Sequence, residues 1–246
     1  APCIDIRYQE LGKNEGSIAK FIVKEFHIKQ NRERFMKVTS IFGGPRKKGN
    51  TATVLGWVEA ELKSQGHQVE RINLTSKKLN GCISCYKCKD NHNEPGCVQK
   101  DDGPFIIDQM VASDIVIYAS PLYYWGLSSQ MKALIDRCYC LYRGACGTPE
   151  HTSFVEGQRQ ALIVTAADPF ENNAEQVLMA FQRMLVYNKT HSAGELLVCN
   201  STTPEELGEK VKEQAIKFAN QLFAATQTPY ALLIPGGALK LVPEGE

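Results

Sequence analysis

Residues 37–51 read Lys-Val-Thr-Ser-Ile-Phe-Gly-Gly-Pro-Arg-Lys-Lys-Gly-Asn-Thr. The first six residues alternate and include β-branched side chains, which is typical of a β-strand. Three glycines and a proline then break the chain into a loop. Asn50 or Thr51 can cap the helix that follows. A strand, a short polar loop and a helix in this order predict the first unit of a parallel α/β sheet.

The same alternation of strands and helices continues along the chain and predicts five strands. We place them at residues 37–42, 69–74, 114–119, 161–165 and 195–199. The third strand is apolar after its first residue, as expected of a central parallel strand that is buried on both faces. Helical patterns follow at about residues 51–65, 104–112, 128–140, 174–187 and 204–225. The pattern predicts an α/β fold with a doubly wound five-stranded parallel sheet.

The ends of the chain differ from this pattern. Residues 1–35 contain apolar residues at helical spacing, which predicts an amphipathic N-terminal helical extension. Such a helix needs a surface to cover its apolar face, so we expect it to contact its own domain or a second subunit. Residues 36–225 form the predicted domain, and residues 226–246 are expected to be an irregular tail.

The composition limits the classes of partner. The 246 residues carry a net charge of +1, which gives no electrostatic reason to expect nucleic acid or an anionic membrane. No apolar run approaches the roughly 18 residues needed to span a bilayer, and the N-terminus lacks the apolar core of a signal peptide. Nine cysteines, several of them three residues apart, favour metal ligands or free thiols in a reducing compartment. We therefore expect a cytoplasmic protein.

The loop after the first strand has the properties of an anion site. A helix N-terminus offers unpaired N–H groups and the positive end of a dipole. Thr51, Thr53 and Asn50 add neutral hydrogen-bond donors, and Arg46 adds a positive charge. Neither the dinucleotide pattern G-x-G-x-x-G nor the P-loop pattern is present, so the loop favours a monophosphate such as that of FMN. The alternative is a plain turn between a strand and a helix.

Three motifs together resemble the NADPH-dependent FMN reductase branch of the flavodoxin-like family, over about residues 36–200. The first is the loop 43–51, which is similar to a family pattern G-S-P-R-x-x-G-N-T. The second is the series Cys82, Cys85, Cys88 and Cys97, followed by two aspartates at 101 and 102. The third is Ser-Pro-Leu-Tyr-Tyr at 120–124, which leads to Leu-Ser at 127–128 and Lys-Ala-Leu-Ile-Asp-Arg at 132–137.

The resemblance implies strand order 2-1-3-4-5 and an FMN site at the carboxyl ends of the strands, between strands one and three. Phosphate and ribityl contacts would come from the first loop, the ring contacts from the aromatic loop after strand three, and a third edge from the turn after strand four. The implied cofactor-binding residues are Gly44, Pro45, Arg46, Gly49, Asn50, Thr51, Thr53, Pro121, Leu122, Tyr123, Tyr124, Trp125, Ala166 and Asp168. The family usually has Ser where this chain has Gly44, so one hydroxyl donor is lost and weaker flavin retention is expected.

The cysteine series permits three interpretations. Its spacing, C-x2-C-x2-C-x8-C, resembles that of iron–sulfur flavoproteins in this family, which implies a 4Fe–4S cluster on Cys82, Cys85, Cys88 and Cys97. The same thiols can instead be free and structural, or they can hold zinc. Three further cysteines, Cys138, Cys140 and Cys146, lack ligand spacing and are expected to be buried free thiols.

The resemblance implies an FMN-dependent NAD(P)H oxidoreductase with a nicotinamide cosubstrate and a separate electron acceptor. Flavin chemistry of this kind requires no protein acid or base, and the five histidines form no hydrolase motif. We therefore expect no catalytic side chain. The alternative is an iron–sulfur electron carrier that accepts electrons from a ferredoxin-like partner, and a weaker one is a flavin-binding sensor without turnover. In this family a homodimer or homotetramer is expected.

Overall fold

The computed structural model describes residues 35–90, 92–144, 148–224, 231–233 and 239–241. The predicted N-terminal helix, and with it the argument for an oligomer contact, falls outside the described residues. The same is true of Cys146. The domain boundaries at 35/36 and 225/226 remain predictions.

A parallel sheet forms the centre of the domain. One short strand pairs antiparallel with it, and two others form a separate antiparallel pair. The strands are β1 Lys37–Phe42, β2 Gln68–Asn73, β3 Ile115–Tyr123, β4 Gly126–Leu127, β5 Tyr142–Arg143, β6 Thr152–Ser153, β7 Arg159–Thr165 and β8 His191–Val198. The main sheet has the order β2-β1-β3-β7-β8, and every pair along it is parallel. Counted over the five long strands, this is the predicted flavodoxin-like order 2-1-3-4-5, which is confirmed.

Among the described residues, five α-helices cover the two faces of the sheet. They are α1 Asn50–Ser64, α2 Gly103–Val111, α3 Ser129–Arg137, α4 Glu175–Tyr187 and α5 Gly208–Gln221. Buried apolar residues of α1 and α5 pack with one face, and those of α2, α3 and α4 pack with the other. The central strand β3 is fully buried from Ile115 to Ser120 because it contributes side chains to both layers.

Several predicted boundaries are wrong. The third strand continues to Tyr123 because β4 pairs with its end as an antiparallel hairpin. The helix predicted to reach residue 140 ends at Arg137, and its last bonds tighten into a 3₁₀ turn at Cys138–Leu141. The last helix begins at Gly208 rather than at residue 204, after a separate 3₁₀ turn with a capping box formed by Thr203 and Glu206.

The residue that caps α1 also differs from the prediction. Gly49 occupies the N-cap position with extended backbone, and no side chain caps the helix. Asn50 and Thr51, the predicted caps, lie inside the first turn, where their side chains bond to Ser201 and Thr165. The first N–H groups of α1 therefore receive no side-chain cap.

Two more strands lie inside the tail that the sequence predicts to be irregular. They are β9 Ala231–Leu233 and β10 Leu239–Leu241, which pair antiparallel. Apolar residues on both sides of a Pro-Gly-Gly sequence are compatible with a hairpin. In the described part of the chain, no helix combines the length and apolar character that crossing a bilayer requires.

Candidate functional site: a strand-edge cavity and a thiol cavity

A cavity of about 330 Å³ opens at the carboxyl ends of β1, β3 and β7, and we call it the strand-edge cavity. Its volume falls within the range of small-molecule sites. This is the edge at which an open parallel sheet binds ligands. The lining residues are Phe42, Gly44, Pro45, Arg46, Gly49, Asn50, Thr51, Pro121, Leu122, Tyr123, Thr165, Ala166, Ala167, Ser201 and Thr202.

The hydroxyl of Ser128 joins the elements around this cavity. It donates to the carbonyl of Gly43 at 2.7 Å and accepts from the N–H of Met131 as the N-cap of α3. The backbone N–H of Ser128 donates to the hydroxyl of Ser120 on β3 at 2.9 Å. All of these contacts are buried. One serine thereby fixes the loop after β1, the end of β3 and the start of α3 relative to each other.

Two side chains in the first turn of α1 bond across the cavity to the other strand ends. The hydroxyls of Thr51 and Thr165 share a hydrogen bond of 2.7 Å. The Nδ2 atom of Asn50 donates to the carbonyl and the hydroxyl of Ser201, both at 2.9 Å. Because a carbonyl only accepts, these bonds fix the orientation of the Asn50 amide. Its Oδ1 atom is buried and has no hydrogen-bond partner within the described residues.

The strand-edge cavity therefore offers both kinds of polar contact that FMN requires. The uncapped N-terminus of α1 supplies N–H groups and a positive dipole for a phosphate. The unpaired Oδ1 of Asn50 needs a hydroxyl donor, which a ribityl chain carries. Arg46 lies exposed at the rim as a positive charge. The residues present fit the phosphate and ribityl parts of FMN.

Gly44 lines the cavity against the ring of Phe42. A Cβ atom at position 44 would lie 2.5 Å from Cζ of Phe42, which is closer than real contacts allow. Phe42 is itself buried, and the guanidinium of Arg71 lies 5.8 Å from the centre of its ring. The departure from the family's serine thus has a steric cause in this chain, because the Phe42 ring occupies the space of a side chain at 44.

The β3–β4 hairpin presents three aromatic residues at one side of the cavity. Tyr123 pairs with Gly126, and the two residues between them have positive φ values, 46° at Tyr124 and 58° at Trp125. Two successive positive φ values are those of a type I′ turn. Bulky residues rarely adopt this conformation, so the turn stores strain. Tyr123 lines the cavity, whereas Tyr124 is 95% exposed at the tip and packs edge-to-face against Trp125.

The structure brings most, but not all, of the predicted cofactor residues to the cavity. Thr53 donates its hydroxyl to the carbonyl of Gly49 within α1, and it does not line the cavity. Tyr124, Trp125 and the exposed Asp168 do not line it either. Ala167, in the predicted turn after strand four, lines the cavity as well, whereas Phe42, Thr165, Ser201 and Thr202 were not predicted. Their signal was position alone, since each lies at or just beyond the carboxyl end of a strand of the sheet.

A second cavity, of about 300 Å³, is lined by the four cysteines of the motif, and we call it the thiol cavity. Cys82 and Cys85 are exposed, whereas Cys88 and Cys97 are partly buried. The remaining lining residues are Ile83, Ser84, Tyr86, Gln99, Asp136, Arg137, Tyr139 and Cys140. Cys140 is buried, as predicted, but its place beside the motif thiols was not predicted, because a tertiary contact and not sequence spacing brings it there.

A buried ion pair closes the loop that carries the motif. Arg137, at the end of α3, donates from Nη1 and Nη2 to the two carboxylate oxygens of Asp101, at 2.8 and 2.9 Å. Both side chains are almost fully buried. Asp101 also accepts from the N–H groups of Asn80 and Gly103, and Arg137 donates to the carbonyl of Asn80. These bonds join the two ends of the cysteine loop and attach both to α3.

Burial and hydrogen bonding around the thiol cavity shift several pKa values. The hydrogen bonds from Arg137 lower the pKa of Asp101 from its ordinary 3.8 to about 2. Burial lowers the pKa of Lys89 to about 8, although Cys88 acts in the opposite direction. The ammonium of Lys89 lies over the rings of Tyr139 and Tyr142, at 3.9 and 3.4 Å from their centres. Burial raises the pKa of the Cys88 thiol.

The thiols share a cavity without forming a finished metal site. Within the described ranges, no group of three or more His, Cys, Asp or Glu side chains is arranged to hold a metal ion. The donor set nevertheless suits soft metals and iron–sulfur clusters, since thiolates are their preferred ligands. The N–H of Ser84 lies 3.4 Å from the sulfur of Cys82, within the distance of a hydrogen bond to sulfur. The four motif cysteines therefore offer the donor atoms that an iron–sulfur cluster uses, and all four line the same cavity.

Substituting Gly44 by Ser tests the steric role of Phe42. We expect Gly44→Ser to lower the free energy of unfolding by about 1–3 kcal/mol, the usual range for overpacking a core. The cost should shrink in a Phe42→Leu background, because leucine lacks the ring atoms that a Cβ at 44 would meet. Denaturant unfolding of the four proteins in this double-mutant cycle measures the coupling.

Gly56→Ser is the matched control, because the closest atom outside its own helix that a Cβ at position 56 would meet, among the described residues, is Nη2 of Arg71 at 3.8 Å. Additive effects of the two substitutions would contradict the account.

Substituting Asp101 tests the buried ion pair. We expect Asp101→Asn to cost about 3–5 kcal/mol at pH 7, because it leaves Arg137 buried without its counterion. The folded-state pKa of Asp101 is depressed, so its contribution is present above pH about 4 and is lost as the pH falls toward 2. Thermal unfolding between pH 7 and pH 2 should show a smaller loss of stability on acidification in Asp101→Asn than in the wild type.

The control is Glu209→Gln, which removes an exposed pair with Lys212 and should change the free energy of unfolding by less than about 1 kcal/mol. Equal acid loss in Asp101→Asn and wild type would contradict the assignment.

Comparison with known proteins agrees with the fold and with the motifs. A model of the family described as NADPH-dependent FMN reductase matches residues 36–201. Iron-sulfur flavoproteins from Archaeoglobus fulgidus and Methanocaldococcus jannaschii are 41% and 39% identical over 102 residues. Each match covers 42% of this chain and 45% or 51% of the relative, so the chain spans about half the length of the curated relatives it matches.

The solved structures resemble this chain in fold. An FMN-dependent NADH-azoreductase from Bacillus anthracis, solved in complex with FMN, superposes with a TM-score of 0.60 at 12% sequence identity. The superposition covers 77% of this chain and 100% of that structure. The family match spans well over half of the chain and includes both the loop after β1 and the cysteine series. The chain belongs to the NADPH-dependent FMN reductase family.

Proposed function

We propose that the chain is an FMN-dependent oxidoreductase that takes reducing equivalents from NAD(P)H and passes them to a separate acceptor. The observation that carries this proposal is the strand-edge cavity, where the uncapped N-terminus of α1 and the unpaired Oδ1 of Asn50 lie together. Family membership supports the same cofactor. The fold of an azoreductase solved with FMN is a further support.

The residues of the chain would bind and orient the cofactor and would take no part in proton transfer. The first turn of α1 would hold the phosphate, with Arg46 at the rim, and Asn50 would accept a hydrogen bond from a ribityl hydroxyl. Pro121, Leu122 and Tyr123 would form the wall beside the ring. FMN, when bound, supplies hydride acceptance from the nicotinamide and electron delivery to the acceptor. The protein contributes the position of the bound flavin and the polarity and shape of its surroundings.

Asn50 offers a direct test of this site. The wild-type protein should bind FMN, lose its flavin absorbance within seconds of anaerobic mixing with NADPH, and turn over repeatedly with a quinone acceptor. Asn50→Asp places a carboxylate beside the phosphate and removes the donor to Ser201. We expect its Kd for FMN to rise at least about tenfold, which is about 1.4 kcal/mol.

Asn220→Asp is the matched control, because Asn220 lies exposed on α5. It should bind FMN as the wild type does. The proposal fails if the wild type binds no FMN, or if Asn50→Asp binds it with unchanged affinity. Binding without any turnover would leave a flavin-binding sensor as the function.

A second candidate function is favoured by the thiol cavity. All four cysteines of the motif line one cavity, and the pair between Arg137 and Asp101 holds their loop closed. The helix α3 begins beside the strand-edge cavity and ends at the thiol cavity. Its nine residues give a separation of about 13 Å along the axis, at about 1.5 Å per residue. A rigid element thus connects the two cavities over a short distance.

On these grounds we propose that Cys82, Cys85, Cys88 and Cys97 hold a 4Fe–4S cluster, whose chemistry is one-electron exchange. A ferredoxin-like protein is then the expected partner. Two curated relatives, at about 40% identity, bear the name iron-sulfur flavoprotein, which supports this candidate.

Metal analysis decides between the three interpretations of the thiols. Anaerobically purified protein should contain about four iron and four acid-labile sulfide per chain, as a 4Fe–4S cluster requires. Cys88→Ser should lose most of that iron. Cys199→Ser should keep it, because Cys199 does not line the thiol cavity. Zinc in place of iron, or neither metal after anaerobic iron and sulfide loading, would overturn the cluster assignment.

A further inference from the structure

The thiol cavity contains one cysteine that the motif does not account for. Cys140 lies in the 3₁₀ turn Cys138–Leu141 that follows α3, and its side chain forms part of the cavity wall together with those of the four motif cysteines. Only 1% of its surface is exposed. Cys138, two residues earlier in the same turn, is also buried but does not line the cavity.

Side-chain hydrogen bonds hold the backbone around Cys140. The carbonyl of Cys140 accepts from Nη1 of Arg143 at 3.0 Å. The carbonyls of Tyr139 and Tyr142, on either side, both accept from the ammonium of Lys89. The loop between Cys82 and Cys88 has positive φ values at Ser84 and Tyr86 and enters a 3₁₀ turn at Lys87–Lys89. The backbone position of Cys140 is therefore fixed by its hydrogen bond to Arg143 and by those of its neighbours to Lys89.

Five thiols exceed what a cubane cluster can use. A 4Fe–4S cluster has four iron positions for protein thiolates, and the motif supplies four. The motif cysteines lie together on one loop, whereas Cys140 comes from the 3₁₀ turn after α3 and is almost fully buried. A buried thiol favours its neutral form, which keeps the S–H group as a weak hydrogen-bond donor.

We propose that Cys140 does not ligate the cluster but donates a hydrogen bond from its S–H group to a cluster or ligand sulfur, which raises the cluster's reduction potential. This inference rests on the cluster assignment proposed above. Reduction adds one negative charge to the cavity. A buried donor stabilises that added charge more than it stabilises the oxidised state, and hydrogen bonds to sulfur are a known determinant of cluster potential.

The test compares Cys140→Ala, Cys140→Ser and the matched control Cys138→Ala with the wild type. Iron and labile sulfide are measured on each protein, and the cluster's midpoint potential is measured by anaerobic redox titration. All variants should keep about four iron per chain. Cys140→Ala should have a lower potential, whereas Cys140→Ser retains a donor and should stay above the alanine variant. Cys138→Ala should match the wild type.

For a one-electron couple, a tenfold change in the ratio of oxidised to reduced cluster corresponds to a 59 mV change in midpoint potential. The measured shift is compared with this value. Loss of iron in both Cys140 variants, with the Cys138 variant intact, would overturn the proposal, because Cys140 would then be a ligand. An unchanged potential in Cys140→Ala would overturn it as well. A wild-type protein without iron after loading would instead overturn the cluster assignment, so the two failures are distinguishable.

Discussion

The hydroxyl of Ser128 makes the contact on which the rest of the site depends. It donates to the carbonyl of Gly43 while it caps α3, and the N–H of the same residue bonds to Ser120 at the end of β3. A side chain at Gly43 would lie 2.7 Å from this hydroxyl, so the approach of the two loops requires glycine there. The loop after β1 and the loop after β3 are consequently one rigid edge, and that edge forms the strand-edge cavity.

The other end of α3 has an equally specific attachment. Arg137 is fully buried and forms two hydrogen bonds with Asp101, which in turn holds both ends of the cysteine loop. A buried pair of this kind contributes little net stability compared with an apolar pair, but removing one partner is costly. Its role here is to hold the end of α3 and the two ends of the cysteine loop in fixed relative positions. The helix α3 thereby sets the distance between the strand-edge cavity and the thiol cavity.

Much of this arrangement can be predicted from the sequence because the patterns that indicate it lie within short stretches of the chain. The apolar run of β3 and the glycine-rich loop before α1 indicate a parallel sheet and an anion site without reference to distant residues. Ser201 and Thr165 carry no such signal, since a short polar residue at or after the end of a strand resembles any turn. Cys140 joins the motif thiols only through tertiary packing, so cysteine spacing alone does not reveal it.

The turn between β3 and β4 also differs from the prediction, and its residue types explain why. A type I′ turn usually has Asn or Gly at its two central positions, but here it has Tyr124 and Trp125. Nothing in the sequence places these two rings at an exposed tip. The resemblance implies ring contacts for all three aromatic residues, with ordinary packing as the alternative for at least one of them. The strain in this turn is a local conflict of the kind found at functional sites.

A crystal structure of the protein with FMN would test the central claim most directly. The account predicts the phosphate at the N–H groups of the first turn of α1, with a ribityl hydroxyl bonded to Oδ1 of Asn50 and the ring beside Tyr123. Flavin bound away from the carboxyl ends of β1 and β3, or phosphate with no contact to α1, would contradict it.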